Sequence, residues 1–184
     1  PEMLALARQK PGYLNYSSSG IGTIAHLTTE ALKAQAGVFI THIPYKGTGQ
    51  AIPDLMSGVV HLSWDALASG LPHAKEGRVR ALAVSGPQRS PLAPEIPTIA
   101  ESGVPGFSVL TWFGLYAPRS LPPALAQRIN DEVNKVLRSP EMAARYVTWG
   151  IEAKIGSPAD FATMVAKDAA RWSRLAQELK LRMD

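Results

Sequence analysis

The sequence predicts an α/β fold with a parallel sheet, followed by a helical region. In the first 85 residues, short apolar runs rich in β-branched residues alternate four times with segments of helical spacing. Alternation at this spacing favours crossover connections between parallel strands. Beyond Pro122-Pro123 only helical patterns follow. The 184 residues suit one generous domain or one and a half small ones.

The elements of the first part follow from its turn signals. A helix over 2–9 stops at Pro11-Gly12. Helices are predicted after each of the first three strands, and each is closed by a glycine. The predicted strands are 13–16, 38–43, 59–64 and 80–84, and the helices between them are 24–34, 51–56 and 67–76.

The second part begins with a proline-rich stretch. Five prolines between Ser85 and Gly106 forbid a long helix or a central strand and leave room for a short helix near 98–102. Residues 108–117 are aromatic and β-branched and have the length of a strand. Apolar stripes then predict three helices, at 125–137, at 140–149 and from Ser157-Pro158 to Leu179, the last with a start close to a capping box.

Composition excludes several classes of protein. The chain has no cysteine, which removes a disulfide scaffold, a thiolate metal site and a cysteine nucleophile. No apolar run approaches the roughly 18–20 residues that cross a bilayer. The net charge of +4 comes from scattered basic residues, which favours a solvated face over a nucleic-acid surface. No signal peptide is visible at Pro1, and we expect the sequence to be part of a longer one.

The serine- and glycine-rich segment 17–23 is the most informative feature. It follows a predicted strand and opens a helix. The first N–H groups of a helix have no intrahelical partner and carry the positive end of the dipole, so a glycine-rich entry lets an anion approach them. The segment therefore predicts a site for a carboxylate or phosphate. A tight turn with Ser or Gly as N-cap explains it equally well.

Other chemistries fit the segment poorly. Ala25 stands where a dinucleotide fingerprint needs its third glycine, and no Gly-Lys-Ser/Thr follows. Ser17, Ser18 or Ser19 could form a triad with His26 and Asp65, but the nucleophile elbow Gly-x-Ser-x-Gly is absent. The four histidines show no ligand spacing, which argues against a metal site. His26 could donate to a bound carboxylate, although a packed histidine is the more ordinary reading.

Two further segments fall on the same edge of the predicted sheet. Asp65 ends the third strand, and Tyr45-Lys46-Gly47 follow the second. Open α/β sheets bind ligands outside the carboxyl ends of their strands. Asp65 could instead cap the next helix and Lys46 could simply be solvated, but three loops on one rim favour a binding site.

Several segments, in order along the chain, strongly resemble the Bug family, the TctC-like extracytoplasmic solute receptors of tripartite tricarboxylate transporters. These segments are YSSSGIGT (16–23) with His26-Leu27, PYKG (44–47), Asp54-Leu55 with Gly58, GRVRALAV (77–84), PTIAESG (97–103) with Pro105-Gly106, and WFG (112–114) with Ala117-Pro118. The stretch PTIAESG-x-PG is the most specific of them.

The resemblance implies a type II periplasmic-binding-protein fold, in which two α/β lobes joined by crossing strands close over a small carboxylate. Residues 1–108 would form the second ligand-binding lobe, and 109–117 the strand that crosses between lobes. Residues 118–184 would be the C-terminal, helical part of the first lobe, whose N-terminal half this sequence lacks. The C-terminal helices would then expose apolar faces, which we expect to pack on each other, on the intact lobe or in a homodimer.

The resemblance also implies a function and a site. The protein would be a periplasmic, non-enzymatic receptor without metal or cofactor that delivers a small carboxylate-bearing metabolite to membrane transporter subunits. The implied ligand-binding residues are Ser18, Ser19, Gly22, Thr23, His26, Tyr45, Lys46, Gly47 and Asp65. Two alternatives remain: the effector-binding domain of a transcription regulator, which shares this architecture, and a hydrolase that uses Ser18 or Ser19.

Overall fold

A short parallel sheet lies at the centre of the first part of the chain. In the computed structural model, which describes residues 1–178, strands β1 (Asn15–Ser18), β2 (Thr41–Pro44) and β3 (Leu62–Ser63) lie in the order β2-β1-β3. β1 pairs with both neighbours in parallel, with Ser18 opposite Pro44 and Ser17 opposite Ser63. The prediction of an α/β fold with a parallel sheet is confirmed.

Four helices accompany this sheet: α1 (Glu2–Gln9), α2 (Ile24–Ala36), α3 (Thr48–Ser57) and α4 (Leu67–Lys75). α2 ends because Gly37 adopts the left-handed conformation, with φ 63°, and its N–H bonds back to the Lys33 carbonyl. A core cluster joins α1 to the sheet. Its buried members are Ala7, Leu14, Tyr16 and Ile40.

β1 has its predicted length but lies two residues further along the chain, whereas β2 and β3 are shorter than predicted. The prediction of a fourth strand at 80–84 is wrong: only Val84 forms a bridge, to Thr98, and Leu82 is exposed. Within the described residues no strand lies beside 80–83. Apolar and β-branched residues favour a strand, but only a neighbouring strand completes the ladder.

The chain divides into two compact units after Thr111. The first unit contains Pro1–Thr111 together with the described residues from Leu175 onward. The second, Trp112–Arg174, contains α5 (Pro123–Leu137), α6 (Pro140–Trp149) and most of α7 (Pro158–Glu178). α7 begins as predicted, because the Ser157 N–H and hydroxyl donate to Asp160 Oδ2 at 3.0 and 2.7 Å. Leu179, the predicted helix end, lies outside the described residues.

The prediction of a strand at 109–117 is also wrong. No part of it forms a strand, although the Val109 N–H donates to the Ser85 carbonyl at 2.9 Å. Phe113 and Leu115 are exposed, so the run lacks the flanking strands that its composition suits. Within 1–178 no helix is both long and apolar enough to span a bilayer.

Candidate functional site

Two loops lie side by side at the carboxyl edge of the sheet. The Tyr45 N–H donates to the Ser18 carbonyl at 3.0 Å, which extends the pairing of β1 and β2 one residue past Pro44. A Cβ atom on Gly20 would stand 3.7 Å from the Tyr45 carbonyl oxygen. The loop 19–23 and the loop 45–47 are therefore neighbours, as expected for ends of adjacent parallel strands.

The first loop leads into α2 and leaves its leading N–H groups open. Thr23 is the N-cap, but its hydroxyl donates to the Gly20 carbonyl at 2.7 Å instead of capping the helix. The backbone N–H groups of Ile24 and Ala25 have no acceptor in the described part of the chain. They carry the positive end of the helix dipole, which attracts a carboxylate.

Gly22 and His26 shape the turn before this helix. Gly22 has φ 77°, in the left-handed region that favours glycine. Its N–H donates to His26 Nδ1 at 3.1 Å, so in the neutral imidazole the proton sits on Nε2. His26 is buried, and burial lowers its pKa below the ordinary 6.5. The structure therefore shows a packed histidine that accepts a bond from its own loop.

His42 is a member of this region that sequence analysis missed. Its ring stacks on His26, with centroids 4.1 Å apart, and on Tyr16 at 4.7 Å. Its Nε2 lies 2.7 Å from Ser18 Oγ. Burial is the main cause that lowers the pKa of His42 to about 4. No local signal in the sequence marks it, because the parallel register that sets His42 directly across from Tyr16 belongs to the folded sheet.

Beneath the histidines lies a buried polar group. The Tyr16 hydroxyl donates to Glu30 Oε1 at 2.7 Å, and Lys33 Nζ donates to the same oxygen at 2.6 Å. Burial and the bond to Glu30 raise the pKa of Tyr16. A buried charge is stable only when it is paired and hydrogen-bonded. Glu30 has an ion-pair partner in Lys33 and a hydrogen-bond donor in the Tyr16 hydroxyl.

The second loop carries a tyrosine with a partner and a lysine without one. The Tyr45 hydroxyl donates to Asp54 Oδ2 at 2.7 Å, a bond that raises the pKa of Tyr45. Lys46 is exposed and makes no ion pair with any described residue. Gly47, with φ 131°, caps α3. Lys46 is thus an exposed cation on the loop that neighbours the entry to α2.

Asp65 stands after β3, where the sequence predicted a rim carboxylate. β3 is tied to β1 by the bond from Ser17 Oγ to Ser63 Oγ at 3.0 Å. Asp65 is exposed and accepts the Ala66 N–H at 2.8 Å, while Ala66 is the N-cap of α4. Its carboxylate is accessible but already orders its own turn.

The residues of a hydrolase triad do not converge. His26 bonds to Gly22 and Asp65 to Ala66. The serine–histidine contact that does form joins Ser18 to His42, and no carboxylate bonds to His42 in the described residues. A histidine whose pKa is about 4 is a weak general base at neutral pH. Nor do residues 1–178 contain a cluster of three metal-ligating acids or histidines.

Periplasmic binding proteins share an open parallel sheet with loops at its carboxyl edge, and the solved structure of the periplasmic binding protein BugD superposes on this chain with a TM-score of 0.78 and 26% identity, covering 98% of this chain and 61% of that one. A family model described as "Tripartite tricarboxylate transporter family receptor" (TctC) matches residues 1–181. The chain belongs to this family, which includes the Bug proteins and consists of receptors, not enzymes.

Two curated relatives match nearly the whole chain. The UPF0065 protein in the tcbD-tcbE intergenic region of Pseudomonas sp. strain P51 is 39% identical over 98% of this chain and 54% of its own length. BugT of Bordetella pertussis is 32% identical over 96% of this chain and 54% of its own length. The chain therefore spans about half the length of these relatives.

Two solved structures with small dicarboxylates bound are similar to this chain in fold. R. palustris Rpa4515 with adipate has a TM-score of 0.85 and 38% identity, and the match covers 96% of this chain and 59% of that one. MatC (Rpa3494) from Rhodopseudomonas palustris, with bound malate, has a TM-score of 0.75 and 28% identity, covering 95% and 60%.

Proposed function

We propose that this chain forms one wall of a periplasmic receptor site that captures a small carboxylate-bearing metabolite for a tripartite tricarboxylate transporter. The observation that carries the proposal is the open N-terminus of α2, where the Ile24 and Ala25 N–H groups have no acceptor in the described residues. The membership of a receptor family and the dicarboxylates in two similar structures support it.

The site residues divide into two roles. Ser19, Thr23 and Lys46 would meet the anion, with Lys46 supplying the charge and the helix dipole the direction. Gly22, Gly47 and the paired Tyr45 shape the loops. Asp65 would face the distal part of the ligand and order water or an amine there. Ser18 and His26 line the base of the loop, where both are buried.

The proposed mechanism is closure of two lobes over the solute. Residues 1–108 act as the second lobe, 109–117 as the crossing segment, and 118–184 as part of the first lobe. Bonds from the solute to both lobes shift the open–closed population toward the closed form, which the membrane subunits recognise. Because one wall alone supplies part of the contacts, we expect weak binding by the chain itself.

Titration of the ¹⁵N-labelled chain with adipate tests the proposal. We expect the amide resonances of Ile24 and Ala25 to shift saturably with adipate and to stay in place with adipamide, the neutral analogue. Lys46→Gln should weaken the response several-fold, because it removes the exposed cation. Lys75→Gln, a lysine exposed at the far end of α4, is the control. Equal responses to adipate and adipamide would contradict the carboxylate site.

A hydrolase that uses Ser18 or Ser19 is the alternative that the contact of Ser18 with His42 would suggest, although the family consists of receptors. A rate of ester hydrolysis that is lower in Ser18→Ala or Ser19→Ala than in the unaltered chain would support a hydrolase. Equal background rates in all three would exclude it. An effector-binding domain of a transcription regulator shares the architecture, but the receptor family accounts for the whole matched range.

We also propose that the chain on its own forms a homodimer through its C-terminal helices. Leu125 and Ile129 on α5 and Val147 and Trp149 on α6 are exposed apolar side chains. Covering them would remove apolar surface from water. Sedimentation of the chain should show a dimer, and a monomer at all concentrations would contradict it.

A further inference from the structure

The Ser18 hydroxyl oxygen makes three close polar contacts, of which its single proton can serve only one. Ser18 Oγ lies 3.0 Å from the Gly20 carbonyl oxygen, 3.2 Å from the Gly20 nitrogen and 2.7 Å from His42 Nε2. A hydroxyl has one proton to donate and two lone pairs that accept. Three partners can therefore be satisfied only in particular arrangements of the protons.

The tautomer of His42 decides which arrangement holds. If the Ser18 proton went to His42 Nε2, Ser18 Oγ and the Gly20 carbonyl oxygen would face each other at 3.0 Å with no proton between them. If His42 Nε2 bears the proton instead, Ser18 accepts from His42 and from the Gly20 N–H, and donates to the Gly20 carbonyl. The second arrangement satisfies all three contacts.

We infer that His42 is a positioning residue for the loop 19–23: its Nε2–H donates to Ser18 and so saturates the serine hydroxyl. Ser18 then holds the turn at Gly20 in place and has no bond to offer the ligand. This inference rests on the proposed function, and it assigns the ligand-facing role to Ser19 and the open N–H groups of α2. Ser18 is 3% exposed, which agrees with an internal role.

The surroundings keep His42 in the neutral form that this role requires. The ring lies between Tyr16 and His26, and the charged groups nearest the stack are Glu30 and Lys33. Burial and the neighbouring His26 oppose a positive charge on His42, and they outweigh the attraction of Glu30. A neutral ring with a fixed tautomer gives the loop the same shape across the neutral pH range.

The first test reads the tautomer directly and needs no ligand. Long-range ¹H–¹⁵N spectra of the histidine-labelled chain at pH 7 should show His42 protonated on Nε2 and bare on Nδ1. A proton on Nδ1 would overturn the inference. Because this measurement uses the unaltered chain without adipate, it stands whether or not the carboxylate site is correct.

A second test separates positioning from direct ligand contact by a double-mutant cycle. Ser18→Ala and His42→Ala should each speed hydrogen exchange at the Gly20 N–H and lower adipate affinity by roughly 3- to 10-fold. The double variant should lose no more than either single one, since both remove the same support. His42→Gln, which keeps an N–H donor, should restore part of the loss, and His61→Gln, at an exposed histidine, is the control.

Results that would overturn the role of His42 differ from those that would overturn the proposed function. Additive losses in the double variant would mean that Ser18 acts on the ligand independently of His42, and a full loss in His42→Gln would mean that an N–H donor at this position does not support Ser18; either result would overturn the inference. If adipate does not bind the unaltered chain, the proposed function fails, while the exchange rate of the Gly20 amide and the tautomer still decide the role of His42. Unchanged exchange at Gly20 in both single variants would overturn that role.

Discussion

The conformation of the loop 19–23 depends on one residue without a side chain. Gly22 has φ 77° and presents its N–H to His26 Nδ1 at 3.1 Å. An L-residue in this conformation brings its Cβ too close to the following carbonyl oxygen, at a cost of roughly 1–2 kcal/mol. Gly22 therefore allows the turn that leaves the next N–H groups open.

Replacing this residue should strain the loop. We expect Gly22→Ala to lower the free energy of unfolding by about 1–2 kcal/mol and to weaken the adipate response at Ile24, because the turn must relax. Urea denaturation and amide titration measure the two effects. Gly49→Ala is the matched control: it lies within α3 with no atom near an added Cβ, so it should be neutral or stabilising. Equal destabilisation by both would contradict the argument.

Sequence reasoning located this loop but not the partner of each side chain. The serine- and glycine-rich entry to α2 follows from local spacing alone. The contact of Ser18 with His42 joins residues 24 apart, and it exists because the strands pair in one register. A shift of that register by one residue would turn His42 to the other face of the sheet. Hydroxyl partners of this kind depend on tertiary structure that local patterns do not encode.

Among the short elements, the segment PTIAESG has a physical explanation in a reciprocal pair of bonds. The Thr98 N–H donates to Glu101 Oε2 at 2.7 Å, and the Glu101 N–H donates to Thr98 Oγ1 at 3.0 Å, in the manner of a capping box. Arg89 Nε adds a bond to Glu101 at 3.0 Å. The Val84 N–H and carbonyl bond to Pro97 and Ile99 on either side. The segment thus fixes the end of the run 80–84.

Removing the threonine hydroxyl should loosen this element. Thr98 is 2% exposed, so Thr98→Val keeps the shape and leaves the Glu101 N–H without its acceptor. We expect a loss of about 1 kcal/mol in the free energy of unfolding and faster hydrogen exchange at Glu101. Thr148→Val, at an exposed threonine, should change neither quantity measurably. Unaltered exchange at Glu101 in Thr98→Val would count against the capping box.

The helices were easier to predict than the strands. α5 and α6 agree with their predicted bounds to within two residues, because prolines and glycines mark helix ends locally. The runs 80–84 and 109–117 have strand composition but no neighbouring strand in the described residues. A strand is completed by a partner elsewhere in the chain, so composition alone overpredicts it.

At the scale of the whole molecule, burial is concentrated in the first unit. The core cluster lies there, whereas no side chain of α5, α6 or the described part of α7 is buried. Within the second unit, Phe161 packs edge to face against Trp112 and Tyr116. Global stability should therefore respond most to groups buried in the first unit.

The paired histidines make that global stability depend on pH. His42 has a pKa of about 4 in the folded chain and about 6.5 when unfolded, and the pKa of His26 is lowered as well. Below pH 6.5 the unfolded chain binds protons that the folded chain does not. The free energy of unfolding therefore falls with decreasing pH, and the contribution of His42 is fully present only above about pH 6.5.

We expect the free energy of unfolding to drop by about 1 kcal/mol between pH 7 and pH 5, a value reduced from the full shift because His42 is only half-buried. This range lies above the ordinary pKa of the carboxyls whose values are lowered, Glu101 and Asp160, so the histidines dominate it. Urea denaturation at several pH values measures the slope. His42→Gln should reduce the slope, because glutamine binds no proton, and the lowered pKa of His26 should leave a shallower one. A slope as steep in His42→Gln as in the unaltered chain would contradict the contribution of His42.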